Sequence, residues 1–85
     1  MPKYTVFLSK KAQKALDSFS DYIAEPILNA IAGLERNPRP VGYKKLKDSE
    51  AYRIRTGNYR IIYEIIDEML VIKVIAIGHR KDIYR

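Results

Sequence analysis

Hydrophobic and polar residues alternate in two neighbouring stretches in the second half of the chain. Tyr52–Thr56 has the sequence YRIRT and Tyr59–Ile66 has the sequence YRIIYEII, with apolar or aromatic residues at every second position through most of both. A period of two is typical of β-strands that are buried on one face. Gly57 and Asn58, which separate the stretches, accept positive φ angles in tight turns. The pattern therefore predicts a β-hairpin.

Three further elements follow from the same reasoning. Residues 70–77 are almost wholly apolar, which is typical of a central strand covered on both faces, and residues 67–68 predict a tight turn before it. Residues 4–8 alternate weakly and include Val and Phe, so they predict a first strand. Ser9 is a good N-cap for a first helix over residues 10–17.

A second helix is predicted from its apolar spacing. Its apolar residues repeat at intervals of three and four: Ile23, Ile27, Ala30, Ile31 and Leu34. The segment begins at Ser20 or Asp21, but Pro26 lacks a backbone donor and is best tolerated in a first turn. The helix therefore either begins near Glu25 or kinks at the proline. Residues 37–40, NPRP, end it.

The predicted order is strand, helix, helix, strand, strand, strand. It describes a single α+β domain over residues 1–85, with a curved, mostly antiparallel sheet and two helices packed on one sheet face. A basic loop at residues 42–47 connects the second helix to the hairpin. No second domain is expected in a chain of 85 residues.

The hairpin places basic side chains on the sheet face that the helices leave open. Tyr52 and Ile54 fall on the helix side, so Arg53 and Arg55 project from the other side, and alternation places Arg60 with them. Like charges in proximity repel, so such a cluster indicates an anionic ligand. Two alternatives remain open: a solvated strand face, or a surface ion pair between Arg60 and Glu64 on the same strand.

The charge balance is consistent with a polyanionic partner. Sixteen Lys and Arg residues stand against ten Asp and Glu residues, a formal net charge of +6. Such a surplus favours nucleic acid, a ribosomal surface or an anionic membrane, although it also serves solubility alone. The chain has no cysteine and one histidine, which excludes disulfides and thiolate metal sites and argues against a zinc site. No apolar run reaches membrane-spanning length, so we expect a cytoplasmic protein without a membrane partner or a small-molecule cofactor.

Two C-terminal segments carry a resemblance to a known family. Residues 52–65, YRIRTGNYRIIYEI, resemble the central hairpin of RelE/ParE-superfamily toxins, and residues 74–85, VIAIGHRKDIYR, resemble their last strand and C-terminal catalytic segment. Residues 34–38 and 45–47 are similar to the helix end and basic loop of that family. The resemblance implies a toxin of a type II toxin–antitoxin system, held inactive by a cognate antitoxin.

The resemblance also implies roles for individual residues. By likeness to RelE-like enzymes, the catalytic candidates are Arg80, Tyr84, Arg60, Arg55 and His79. The candidates for RNA or phosphate binding are Arg53, Lys44, Lys45, Lys47 and Lys81. Some relatives carry Lys where this chain has Arg53 and Arg55; because Arg does not give up its proton, neither can act as a general base. His79 is the candidate for proton transfer, because imidazole commonly serves as a general acid and base.

The RelE-like branch implies a ribosome-dependent endoribonuclease that cuts messenger RNA in the ribosomal A site. This mRNA interferase activity would inhibit translation, with the ribosome and its message as partners. Two other functions stay open: a ParE-like inhibitor of DNA gyrase without nuclease activity, and an inactive RNA-binding relative.

Overall fold

The computed structural model describes residues 3–79. Its elements are β1 (Thr5–Leu8), α1 (Lys10–Ser18), α2 (Asp21–Leu34), β2 (Lys44–Lys45), β3 (Tyr52–Thr56), β4 (Tyr59–Ile66) and β5 (Val71–His79). The strands form one sheet in the order β1-β5-β4-β3-β2, in which β1 and β5 are parallel and the other neighbours are antiparallel. The predicted α+β architecture is confirmed.

Local chemistry explains where the first helix begins. The Ser9 hydroxyl accepts a hydrogen bond from the Ala12 amide at 3.0 Å, which confirms Ser9 as the N-cap of α1. The same hydroxyl donates to the Ile75 carbonyl at 2.9 Å and so ties the start of the helix to β5. Helix α2 begins at Asp21 and runs through Pro26, instead of beginning near Glu25.

Both helices pack on one face of the sheet. Their buried side chains meet those of the three central strands in one cluster: Ala12, Leu16, Ile27, Ile31, Leu34, Ile54, Ile61, Tyr63, Ile72, Val74 and Ile77. Tyr63 is fully buried there, and its hydroxyl donates to the Pro38 carbonyl at 2.7 Å. Burial raises the pKa of Tyr63 to about 12, so the hydroxyl keeps the proton that anchors the segment after α2.

The structure differs from the sequence prediction in three places. Part of the predicted basic loop forms the two-residue strand β2, because Lys44 and Lys45 pair with β3. The turn before β5 is a short 3-10 helix, Asp67–Met69, closed by Leu70 in a left-handed conformation at φ 53°. Strand β5 continues beyond residue 77 to His79, because β4 offers pairing partners as far as Tyr59.

A polar bridge holds the loop after α2 against the end of β4. Arg39 donates to the Asp67 carboxylate at 3.0 Å, and the Tyr4 hydroxyl donates to the same carboxylate at 2.6 Å. These hydrogen bonds, that from Arg39 foremost, hold the pKa of Asp67 below its ordinary value.

Asp67→Asn is expected to make the stability of the fold less dependent on pH in the acid range. Because the folded-state pKa of Asp67 is lowered, its contribution is present above the unfolded-state value, about 3.9, and is lost as the pH falls through the folded-state value. Thermal midpoints measured between about pH 7 and pH 3 should fall less in Asp67→Asn than in the wild type. Tyr4→Phe removes one hydrogen-bond donor to Asp67, so the fall in its thermal midpoint should lie between those of the wild type and Asp67→Asn. Parallel profiles for all three proteins would contradict this.

Candidate nucleic-acid interface

The sheet has one face covered by the helices and one open face. Directly paired residues point to the same side, so the strand register places each candidate residue on a face. On β3, Tyr52 and Ile54 lie on the helix side, and Arg53 and Arg55 lie on the open face with Arg60 of β4. The three arginines share the open face, as the alternation predicts.

Cations face one another in two cross-strand pairs on the open face. Arg55 is paired directly with Arg60, and Lys44 of β2 is paired directly with Arg53. We call these four residues the basic face. Like charges directly opposite each other destabilise a sheet, so packing alone does not account for the arrangement. An anion placed between the pairs would relieve the repulsion.

Arg53 is buried, with only 6% of its surface exposed, although alternation places it on the sheet face that the helices leave open. Strands flank Arg53 on both sides, because Lys44 of β2 pairs with it on one side and Ile62 of β4 on the other. Ile62 is itself buried. The Nη1 atom of Arg53 has no hydrogen-bond partner within residues 3–79. A buried guanidinium with an unsatisfied donor is costly, which argues against a merely solvated strand face at this position.

Arg53 lines a cavity of about 580 Å3 at the outer edge of β3. We call this space the edge cavity. Its lining combines small residues of α2, the loop before β2, part of the basic face and one core residue of β3: Ala30, Gly33, Pro40, Val41, Gly42, Lys44, Arg53, Arg55 and Ile54. Strand β2 pairs with β3 only at Tyr52 and Arg53, so the cavity lies where this pairing stops. The sequence did not indicate this cavity, because its walls come from three separate segments.

Arg55 and Arg60 lie at the hairpin end of the basic face. Arg55 is exposed and Arg60 is half-buried. Both line a recess of about 30 Å3 together with Gly57, Asn58 and Tyr59. The two guanidiniums therefore border one small space, where forked donors can bind the oxygens of a single phosphate.

His79 lies on the opposite face from the arginines. It is paired with Tyr59 on the helix side, and the two rings make an edge contact with centroids 5.5 Å apart. Alternation explains the placement, because Ile77, two residues earlier, is buried in the core. The structure therefore does not bring His79 together with Arg60.

The remaining sequence candidates are dispersed. Lys45 lies opposite Tyr52 on the helix side, and its ammonium donates to the Ser49 carbonyl at 2.9 Å. Lys47 is exposed in the turn after β2. The predictions for Arg80, Lys81 and Tyr84 fall outside the described residues.

Arg39 is a cation that the sequence analysis did not single out. Besides binding Asp67, its guanidinium lies 5.7 Å from the centroid of the Tyr52 ring. Both contacts are long-range, so no local pattern could have indicated them. They fix the loop that leads into the edge cavity.

The described part of the chain holds neither a cluster of metal-ligating side chains nor a membrane-spanning helix. Residues 3–79 contain no group of three or more His, Asp or Glu side chains placed to hold a metal ion. Over the same range, no helix has the length and apolar character needed to cross a bilayer.

Comparison with known proteins places this geometry in a family. Residues 6–84 match the model of the ParE toxin of the type II toxin–antitoxin system, parDE. The chain is 34% identical over 85 residues to the toxin RelG of Mycobacterium tuberculosis, covering 96% of this chain and 97% of that one. It is 26% identical over 80 residues to the mRNA interferase toxin RelE of Escherichia coli K12, covering 92% and 84%.

A solved structure agrees with the sequence comparisons. The archaeal RelE–RelB complex from Pyrococcus horikoshii aligns with a TM-score of 0.83 at 30% identity, covering 94% of this chain and 98% of the matched chain. Sequence and fold thus agree over nearly the whole chain. This protein belongs to the RelE/ParE superfamily, as a toxin of a type II toxin–antitoxin system.

Proposed function

We propose that this toxin is an endoribonuclease that cuts messenger RNA on the ribosome, with arginine side chains supplying the charge that the reaction requires. The observation that carries the proposal is the basic face, where Arg55 faces Arg60 and the buried Arg53 faces Lys44. Such opposed cations are suited to bind the phosphates of an RNA strand. The likeness to a protein named mRNA interferase toxin RelE supports RNA as the ligand.

The proposed reaction uses the RNA's own nucleophile. The 2′-oxygen attacks the adjacent phosphorus while the bond from phosphorus to the 5′-oxygen breaks, so negative charge grows on the non-bridging oxygens. Arg55 and Arg60 bind those oxygens and stabilise the charge as it develops. Arg53 binds a flanking phosphate and sets the register of the strand.

Proton transfer requires groups other than these arginines. The 2′-hydroxyl must lose a proton and the 5′-oxygen must gain one, and an arginine serves neither step. His79 lies across the sheet from Arg60 and is not proposed as the base. The roles that the resemblance gives to Arg80, Lys81 and Tyr84 remain predictions.

A gyrase inhibitor is the second candidate function. The observation that favours it is the family model, which bears the name of the ParE toxin. In that case the basic face would serve for binding alone, without cleavage of RNA.

Translation with purified ribosomes distinguishes the two functions. We expect the toxin to cut a defined message at the codon in the A site, which toeprinting maps to the nucleotide. In cells, expression without an antitoxin should stop growth through loss of protein synthesis. Intact message together with trapped gyrase–DNA cleavage complexes would overturn the proposal in favour of the second candidate.

A cognate antitoxin is the proposed second partner. The solved relative from Pyrococcus horikoshii is a complex of RelE with RelB. We infer that an acidic or amphipathic antitoxin segment covers Arg53, Arg55 and Arg60 and blocks entry of RNA phosphates. Its affinity should fall with salt, but less than a purely electrostatic contact would, if apolar contacts contribute. A complex that leaves the basic face open would contradict direct occlusion.

A further inference from the structure

A second recess lies where the start of α2 meets the β3–β4 turn, on the helix side of the sheet. Its volume is about 200 Å3, and we call it the turn recess. It is lined by Tyr22, Ile23, Pro26, Thr56, Gly57, Asn58 and Tyr59. The lining is largely apolar, although the recess is open to solvent and adjoins a strongly basic surface.

The aromatic walls of the turn recess differ in how closely they are packed. The Tyr59 ring is held by edge contacts with Phe19, at 5.0 Å between centroids, and with His79, at 5.5 Å. Tyr22 is 89% exposed on the other side of the recess. Tyr59 thus forms a packed wall, and the exposed Tyr22 ring is available to stack on a planar group.

The turn recess and the arginine pair lie on opposite sides of the same hairpin turn. Gly57, Asn58 and Tyr59 line both the turn recess and the small recess that Arg55 and Arg60 border. A strand whose phosphate is bound by the two arginines can therefore pass around the hairpin turn and place its next base against Tyr22.

Pro26 adds a polar feature to this apolar surface. It lacks a backbone N–H, so the Tyr22 carbonyl cannot receive the usual helical hydrogen bond from the residue four positions on. A carbonyl oxygen in this position can accept a hydrogen bond from a base amine or a ribose hydroxyl.

We propose that the turn recess is a nucleobase subsite, in which one unpaired base of the RNA beside the cleaved phosphate stacks on Tyr22. A stacking aromatic residue next to a cationic phosphate site is the combination that binds single-stranded nucleic acid. A nucleotide would use both features, with its base against the exposed Tyr22 ring and its phosphate at the arginine pair, and antitoxin binding is measured as the alternative. The inference rests on the proposed nuclease function and names an additional contact with its substrate.

The test combines a protein substitution with removal of a single base. Ribosomes are programmed with a message that carries an abasic nucleotide at one position at a time on either side of the cut, and single-turnover cleavage is followed against toxin concentration. With wild-type toxin, one abasic position should raise the half-saturating concentration about 5- to 10-fold. Tyr22→Ala should show that increase on the intact message and no further increase on the abasic one.

Two variants act as controls. Tyr22→Phe keeps the stacking ring and should behave as the wild type does. Leu28→Ala removes another exposed apolar side chain from α2, outside the recess lining, and should also bind normally.

Each remaining outcome overturns the subsite. If Tyr22→Ala cuts every message with the wild-type concentration dependence, the base contact is removed and the nuclease proposal stands. The same conclusion follows if the substitution raises the half-saturating concentration by the same factor on intact and abasic messages. Weakened antitoxin binding with unchanged cleavage would assign the recess to the protein partner. A wild-type toxin that cuts no message would overturn the nuclease proposal, and the subsite with it.

Discussion

Arg60→Gln is expected to lower the rate of message cleavage by saturating toxin about 100- to 1000-fold, the usual loss when one donor to a developing transition-state charge is removed. Arg60 faces Arg55 directly, and the two border the same small recess. Gln keeps a hydrogen-bonding side chain but supplies no charge. The measurement is single-turnover cleavage on programmed ribosomes, which separates the chemical step from binding.

Lys73→Gln is the matched control for net charge. Lys73 is exposed on the same open face of the sheet but lies opposite Glu64, far from the hairpin turn. The substitution removes one positive charge and should leave the saturating rate unchanged. If Arg60→Gln also retained the wild-type rate at saturation and only bound more weakly, Arg60 would hold a ground-state phosphate and take no part in the chemical step.

Much of the hairpin could be predicted because its determinants are local. The bounds of β3 and β4 follow from the period-two alternation and from Gly57, whose φ of 60° suits a two-residue turn. A two-residue turn also fixes the register, since Thr56 must pair with Tyr59. The arrangement of Arg55 opposite Arg60 was therefore contained in the sequence.

Other features depend on contacts between distant segments. Strand β2 exists only because Lys44 meets β3, and the burial of Arg53 depends in turn on that strand. Local alternation correctly predicts the sheet face on which Arg53 lies, but it does not predict that the side chain is buried. The bridge from Arg39 to Asp67 likewise joins residues that no sequence spacing relates.

The resemblance made His79 a candidate for proton transfer, but the structure places its side chain away from the basic face. Its place at the end of the last strand agrees with the family pattern, yet its side chain shares the helix side with Tyr59. Counting by twos from the buried Ile77 gives that face from the sequence itself. Alternation along β5 therefore places this side chain better than its sequence distance from Arg80 does.

Arg53→Met is expected to stabilise the fold while weakening the toxin. Replacing a buried charge by an apolar side chain of similar volume is often neutral or stabilising, and the unsatisfied Nη1 of Arg53 favours a gain of about 1–3 kcal/mol in the free energy of unfolding. Loss of charge-assisted hydrogen bonds to a phosphate should raise the half-saturating toxin concentration roughly 10- to 100-fold. Urea unfolding measures the first effect, and cleavage on programmed ribosomes measures the second.

Arg55→Met is the control that separates the effect of removing a charge from the effect of removing a buried charge, in the same two assays. Arg55 is exposed on the same strand and face, so the substitution should impair cleavage without a comparable gain from removing a buried charge. Opposite changes in stability and activity at residue 53 would mean that Arg53 is retained for its ligand at the expense of the fold. A less stable Arg53→Met with unchanged cleavage would instead make the guanidinium a structural element of the sheet, and phosphate binding would then rest on Arg55, Arg60 and Lys44.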